Sequence, residues 1–115
     1  MSDEFRRRPR RAIADAILVT DAMTGQTVGR IGNLSETGML LAARAPLRED
    51  ALYQFRFRLP SPGSGPGDEY ELGAHLLWID ANDGPGMHWA GLRFIAVPDD
   101  QAQRLHAWIE AESEA

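Results

Sequence analysis

The stretch LYQFRFRL, Leu52 to Leu59, restricts the fold more than any other part of the chain. Tyr53, Phe55, Phe57 and Leu59 alternate with Gln54, Arg56 and Arg58. A period of two cannot be buried along one side of a helix, whereas a strand turns all four apolar residues to one face. This segment therefore needs a core on one side and water on the other. Breakers bound it. RAPLREDA (44–51) reads as a loop, and PSPGSGPGDE (60–69) is too rich in proline and glycine for a regular element and is expected to be a mobile loop.

The same reading extends both ways. AIADAILVTD (12–21) and TVGRIGNLS, with AMTGQ between them, predict a hairpin of strands over 12–21 and 26–34. SETG then turns the chain into the short apolar run MLLAAR. YELGAHLLWID and MHWAGLRFIAV flank ANDGPG and predict a second hairpin, in which Leu92 and Phe94 share a face opposite Arg93. After Pro98 the period changes: Ala102, Leu105, Trp108 and Ile109 form a helical stripe, with Asp99 as the expected N-cap. About six short strands followed by one amphipathic helix predict an all-β fold, a small six-stranded antiparallel barrel with a C-terminal α-helix packed on it. Closure of such a barrel removes the sheet edges through which small β proteins aggregate. The expected division is an arginine-rich arm at 1–11, a barrel at 12–97, and a helix and tail at 98–115.

No apolar run reaches the roughly 20 residues of a membrane helix, and no apolar segment with a small-residue cleavage site follows the basic start of the chain, so a cytoplasmic protein is expected. There is no cysteine to supply a disulfide, a thiol nucleophile or a zinc thiolate. The net charge is −5, from 12 arginines against 17 acids with no lysine. Five of those arginines fall in RRRPRR, Arg6 to Arg11, so residues 12–115 hold seven arginines against fifteen acids, a net −8. A body this acidic repels extended nucleic acid, while a short arginine segment suits one compact anion.

Arginine also fits a nucleotide in three ways: its fork bonds phosphate oxygens, matches the O6 and N7 acceptors of guanine, and stacks on a base. The run therefore reads either as a guanine and phosphate clamp or as a solvated basic tail. A second polar stretch, Asn33-Leu34-Ser35-Glu36-Thr37-Gly38, leaves one strand and enters the next. Asn33 and Ser35 alternate onto one side, and Gly38 allows either a positive φ or a close approach to a ligand. These are also the residues of an ordinary turn.

Together the two stretches resemble the PilZ family, whose signature is RxxxR just before the first strand and D/NxSxxG between the second and third. Here these are Arg7-Arg8-Pro9-Arg10-Arg11 and Asn33 to Gly38, and AHLLWID and GLRF resemble later strands of that family. The resemblance covers nearly the whole chain. It implies a six-stranded antiparallel barrel and binding of cyclic di-GMP, with Arg7 and Arg11 gripping guanine and phosphate and Arg8 beside them. Asn33 and Ser35 would bond a guanine edge, and Gly38 would shape the turn. Arg6 and Arg10 satisfy the same spacing in an alternative register. Trp78 stands where some relatives carry an aromatic near the ligand, and reads equally as a stacking platform or as a packing residue. Arg44 and Arg93 are further candidates for phosphate, or simply solvated.

No enzyme is indicated. His75, His88 and His106 show no H-x-x-H or carboxylate spacing suited to metal, and Ser35 lacks a G-x-S-x-G elbow. No cofactor is expected. The function implied is a cyclic di-GMP receptor whose arginine arm folds over the barrel and which acts on an unidentified protein effector. The alternative is a degenerate PilZ-like adaptor that binds protein without nucleotide.

Overall fold

The computed structural model describes residues 11–12, 16–60, 67–80 and 86–113. The described residues form seven strands, β1 (Arg11–Ala12), β2 (Leu18–Asp21), β3 (Thr27–Leu34), β4 (Gly38–Ala43), β5 (Leu52–Leu59), β6 (Asp68–Asp80) and β7 (His88–Ala96), followed by helix α1 (Asp99–Ser113). Every pairing is antiparallel. The order β3-β2-β5-β6-β7-β4 closes through a β3–β4 pairing, so six strands form the expected barrel, and β1 adds two residues to the edge of β3 beyond β2.

The 12–21 segment departs from the single strand its composition suggests. Leu18 is six positions after Ala12, but their partners Arg30 and Asn33 on β3 are only three positions apart. The ladder cannot absorb that excess, so the edge is paired by β1 and by β2 in two separate registers; residues 13–15 lie outside the described residues. Ile17 stays close, its carbonyl accepting a 3.0 Å hydrogen bond from the Ile31 amide.

On β5 the alternation is realised as read. Phe55, Phe57 and Leu59 are buried, Tyr53 packs against them, and Arg56 and Arg58 lie outside with Glu71 and Glu69. Phe57 stacks on its cross-strand partner Tyr70 with centroids 5.6 Å apart. Each such buried aromatic or aliphatic side chain contributes about 1.5–3 kcal/mol by leaving water. Leu92 is fully buried and Phe94 packs against the core, with Arg93 exposed between them, as the alternation requires.

Helix α1 adds Leu105 and Ile109 to the barrel core, and Trp108 donates Nε1–H to the Pro60 carbonyl at 2.9 Å. Two expectations are corrected here. Ala102 is exposed, because the first turn docks through Gln101, whose Oε1 accepts the Glu71 amide at 2.9 Å, instead of entering the core. Pro98 supplies the first intrahelical carbonyl, to Ala102 N at 2.9 Å, so Asp99 lies one position inside the cap, where it and Asp100 complement the helix dipole. Among the described residues no helix is long and apolar enough to cross a membrane. The expected 60–69 loop is shorter than its composition suggests, because Asp68 and Glu69 already pair with Leu59 and Arg58 at the start of β6; residues 61–66 and 81–85 lie outside the described residues.

Candidate functional site

The site is built on the outer face of β3, β4, β7 and β6. Two irregularities in the ladder create it. On β3, Ile31 pairs with Leu41 and Asn33 with the next residue, Leu40, so Gly32 is one residue too many. On β6, Leu76 pairs with Leu92 and Trp78 with the next residue, Gly91, so Leu77 is the extra one. Ile31 and Leu76 are fully buried. Strict alternation would carry Asn33 and Trp78 into the core behind them, and each bulge instead turns its strand by one position. As a result Asn33 and Trp78 face outward on a single cross-strand row, Ala12–Asn33–Leu40–Gly91–Trp78.

Glycine makes this row compact. A Cβ on Gly91 would overlap Cε2 and Nε1 of Trp78, so the indole lies against the β7 backbone at Gly91. A Cβ on Gly32 would stand 2.8 Å from Cζ3 of Trp89, which covers the β3 bulge beside Asn33. Trp89 was not singled out from sequence, although its alternation with Ala90 already placed it with Gly91 on the outer face.

Asn33 itself carries an unmet demand. Its Oδ1 is buried, and it has no hydrogen-bond partner among the described residues. Ser35 differs: it is only 1% exposed, and its hydroxyl is used inside the turn. Oγ accepts from the amides of Thr37 at 3.3 Å and Gly38 at 3.2 Å and lies 3.3 Å from the Gly38 carbonyl, which also receives the Ser35 amide at 2.9 Å. Gly38 is not among the residues with positive φ. Of the two reasons for glycine there, the left-handed backbone is thus removed and close approach remains.

Gly38 begins a second outer row, Gly38–Arg93–His75–Leu52. Arg93 is therefore next to the turn, whereas Arg44 follows the far end of β4 and is apart from it. His75 Nε2 is 2.6 Å from Asp50 Oδ1, and Asp50 holds φ at 67°, an uncommon conformation for a residue other than glycine. The same loop binds β6 again through Glu49, whose Oε2 accepts the Ile79 amide at 2.9 Å beside Trp78.

The backbone of Arg11 reaches the edge of this face in β1. Arg11 pairs with Leu34 and Ala12 with Asn33, so the backbone where the first motif ends runs alongside the start of the second. Arg6, Arg7, Arg8 and Arg10 lie outside the described residues. The turn is also tied to the helix. His106 Nδ1 lies 2.8 Å from Glu36 Oε1, and that hydrogen bond, with the charge of Glu36 and then of Glu110, raises the His106 pKa above its ordinary value.

A family model for the PilZ domain matches residues 4–111. Among solved structures the chain is similar to the inhibitor of motility MotI/DgrA of Bacillus subtilis, at 14% identity and a TM-score of 0.76, over 94% of this chain and 50% of that one. It is similar to the PilZ domain of Escherichia coli YcgR with c-di-GMP, at 21% identity and a TM-score of 0.69, over 95% of this chain and 92% of that one. It also matches a longer YcgR chain in complex with c-di-GMP, at 20% identity and a TM-score of 0.72, over 95% of this chain and 46% of that one. The chain spans about half the length of MotI/DgrA and of the longer YcgR chain. At these identities the likeness establishes the fold. No curated protein matches the sequence.

Proposed function

The chain belongs to the PilZ domain family, and from that premise we propose that it is a cyclic di-GMP receptor whose arginine arm closes over the Asn33–Trp78 row. The observation that carries this reading is the buried Oδ1 of Asn33 at the head of the second motif, which has no hydrogen-bond partner among the described residues. A buried polar atom without a partner costs about 1–3 kcal/mol, and a guanine N–H donor is the kind of group that recovers it. Trp78 offers a π face along the same row, a contact worth about 1–3 kcal/mol to a base. Arg93, beside Gly38, offers charge to a phosphate. Ser35 serves indirectly, holding the turn that presents Asn33.

Arg7, Arg8 and Arg11 supply the rest of the grip, with Arg6 and Arg10 as the alternative register. Fixing a backbone residue costs about 1–2 kcal/mol, and a charge-assisted hydrogen bond returns about 1.5–3 kcal/mol. Closing the four residues before Arg11 therefore needs several such bonds at once, which two bidentate arginines provide and one does not. The face formed by arm, ligand and barrel then engages a protein effector, the ligand acting by its preference for the closed arrangement.

The test is calorimetric titration of cyclic di-GMP into the wild-type chain, Arg11→Ala and Asn33→Ala, with GTP and cyclic di-AMP as controls. Selective binding at micromolar concentration or below, about −8 kcal/mol, lost in both variants, is expected. Absence of binding in the wild type would leave the barrel as a protein adaptor without nucleotide.

A further inference from the structure

We propose that Glu36, His106 and Glu110 form a binding site for a single first-row divalent cation of the zinc type. One ring nitrogen of His106 and one carboxylate oxygen from each glutamate all lie within 4.8 Å of one another. Two of the donors come from α1, four residues apart and hence on one helix face, and the third comes from the turn between β3 and β4. Bonds of about 2.0–2.2 Å to a tetrahedral ion hold donor atoms roughly 3.3–3.6 Å apart. Small side-chain rotations within the observed cluster reach that spacing.

The charge pattern favours a cation over a plain ion pair. One carboxylate is enough to partner a histidine, and Glu36 already does so at 2.8 Å. Glu110 brings a second carboxylate to the same imidazole, so the cluster is net negative in either protonation state of His106. Like-charged carboxylates repel at this range, and a divalent ion between them reverses the sign of that interaction. One imidazole with two carboxylates suits a borderline ion, whereas magnesium and calcium take sets built from oxygen alone. Three protein donors leave the fourth position to water. Sequence spacing missed the site because Glu36 is 70 positions away from His106 in the chain, and because H-x-x-x-E is not the H-x-x-H pattern. This inference stands on its own donors and does not depend on nucleotide binding.

The experiment is titration of Zn2+ into the chelator-treated chain by calorimetry, with Co2+ absorption as the spectroscopic probe, on the wild type, Glu110→Gln and His106→Gln. The His106 side chain is exposed, and circular dichroism of each metal-free variant checks that it folds. One Zn2+ per chain, visible Co2+ bands of a low-coordinate site, and at least about a tenfold loss of affinity in each variant are expected. No uptake by the wild type overturns the proposal, and so does uptake unchanged in both variants, which places the ion elsewhere.

Discussion

Asn33 on β3 and Trp78 on β6 lie on one row across the outer face of the barrel, separated by Leu40 and Gly91. Each reaches that row because its strand holds one residue more than its partner just before it, Gly32 in one case and Leu77 in the other. Three strand spacings make the row about 14 Å from end to end. The indole shortens that gap by lying over Gly91, where no side chain stands in its way. Two bulges and one glycine thus convert a core-lining alternation into a surface with an amide at one end and an aromatic plane at the other.

The first prediction concerns that glycine. In Gly91→Ala the new methyl occupies the space of the Trp78 indole, which must swing away from the β7 backbone. Overpacking of this kind costs about 1–3 kcal/mol. Urea unfolding of Gly91→Ala, Trp78→Ala and the double variant forms a cycle in which the double variant recovers part of the loss. Strict additivity would show that the two residues do not interact.

Asn33 gives effects of opposite sign. Removing a buried carbonyl oxygen that has no partner among the described residues takes away a desolvation penalty, so Asn33→Ala is expected to leave the unliganded chain as stable as the wild type or up to about 1 kcal/mol more stable. Its affinity for cyclic di-GMP falls at the same time. Chemical denaturation and calorimetry on the same preparation check both. A variant that loses stability and retains affinity would assign Asn33 to the fold alone.

These two residues also mark how far the sequence can be read. LYQFRFRL announced its faces because every side chain after Leu52 keeps the period, and Leu105 and Ile109 did so on the helix. The two motifs located the turn and the point where β1 meets it. Bulges are different, since an extra Gly32 or Leu77 leaves composition and hydropathy unchanged and shows itself only in the partner strand. The separate registers of β1 and β2 have the same origin, a surplus of residues relative to β3. The pairing of Glu36 with His106 was hidden for another reason: it joins two segments whose proximity exists only after the barrel closes.

Ser35 tests the turn separately from the ligand. Its hydroxyl receives the amides of Thr37 and Gly38 in a position with 1% exposure, so Ser35→Ala leaves two buried or half-buried donors unmet. A loss of about 1–3 kcal/mol is expected, together with faster amide exchange at Thr37 and Gly38. Unchanged stability and exchange would show that the backbone bond from Ser35 N to the Gly38 carbonyl holds the turn unaided.

Tyr70 links the core to alkaline pH. Burial raises its phenol pKa, the Arg104 guanidinium 5.3 Å from its ring pulls it down, and Asp68 adds a smaller upward push, leaving the folded value above the ordinary 10.0. Above pH 10 the unfolded chain ionises this phenol while the folded chain still holds the proton, so the native state binds more protons and stability declines as pH rises. Below the unfolded pKa the contribution is fully present, and it is lost by the time the pH has passed the folded value. Tyr70→Phe has no such proton, so its urea midpoint is expected to fall less than that of the wild type as the pH rises through and above the ordinary phenol value of 10.0. An equal fall in the two proteins would assign alkaline destabilisation to other groups.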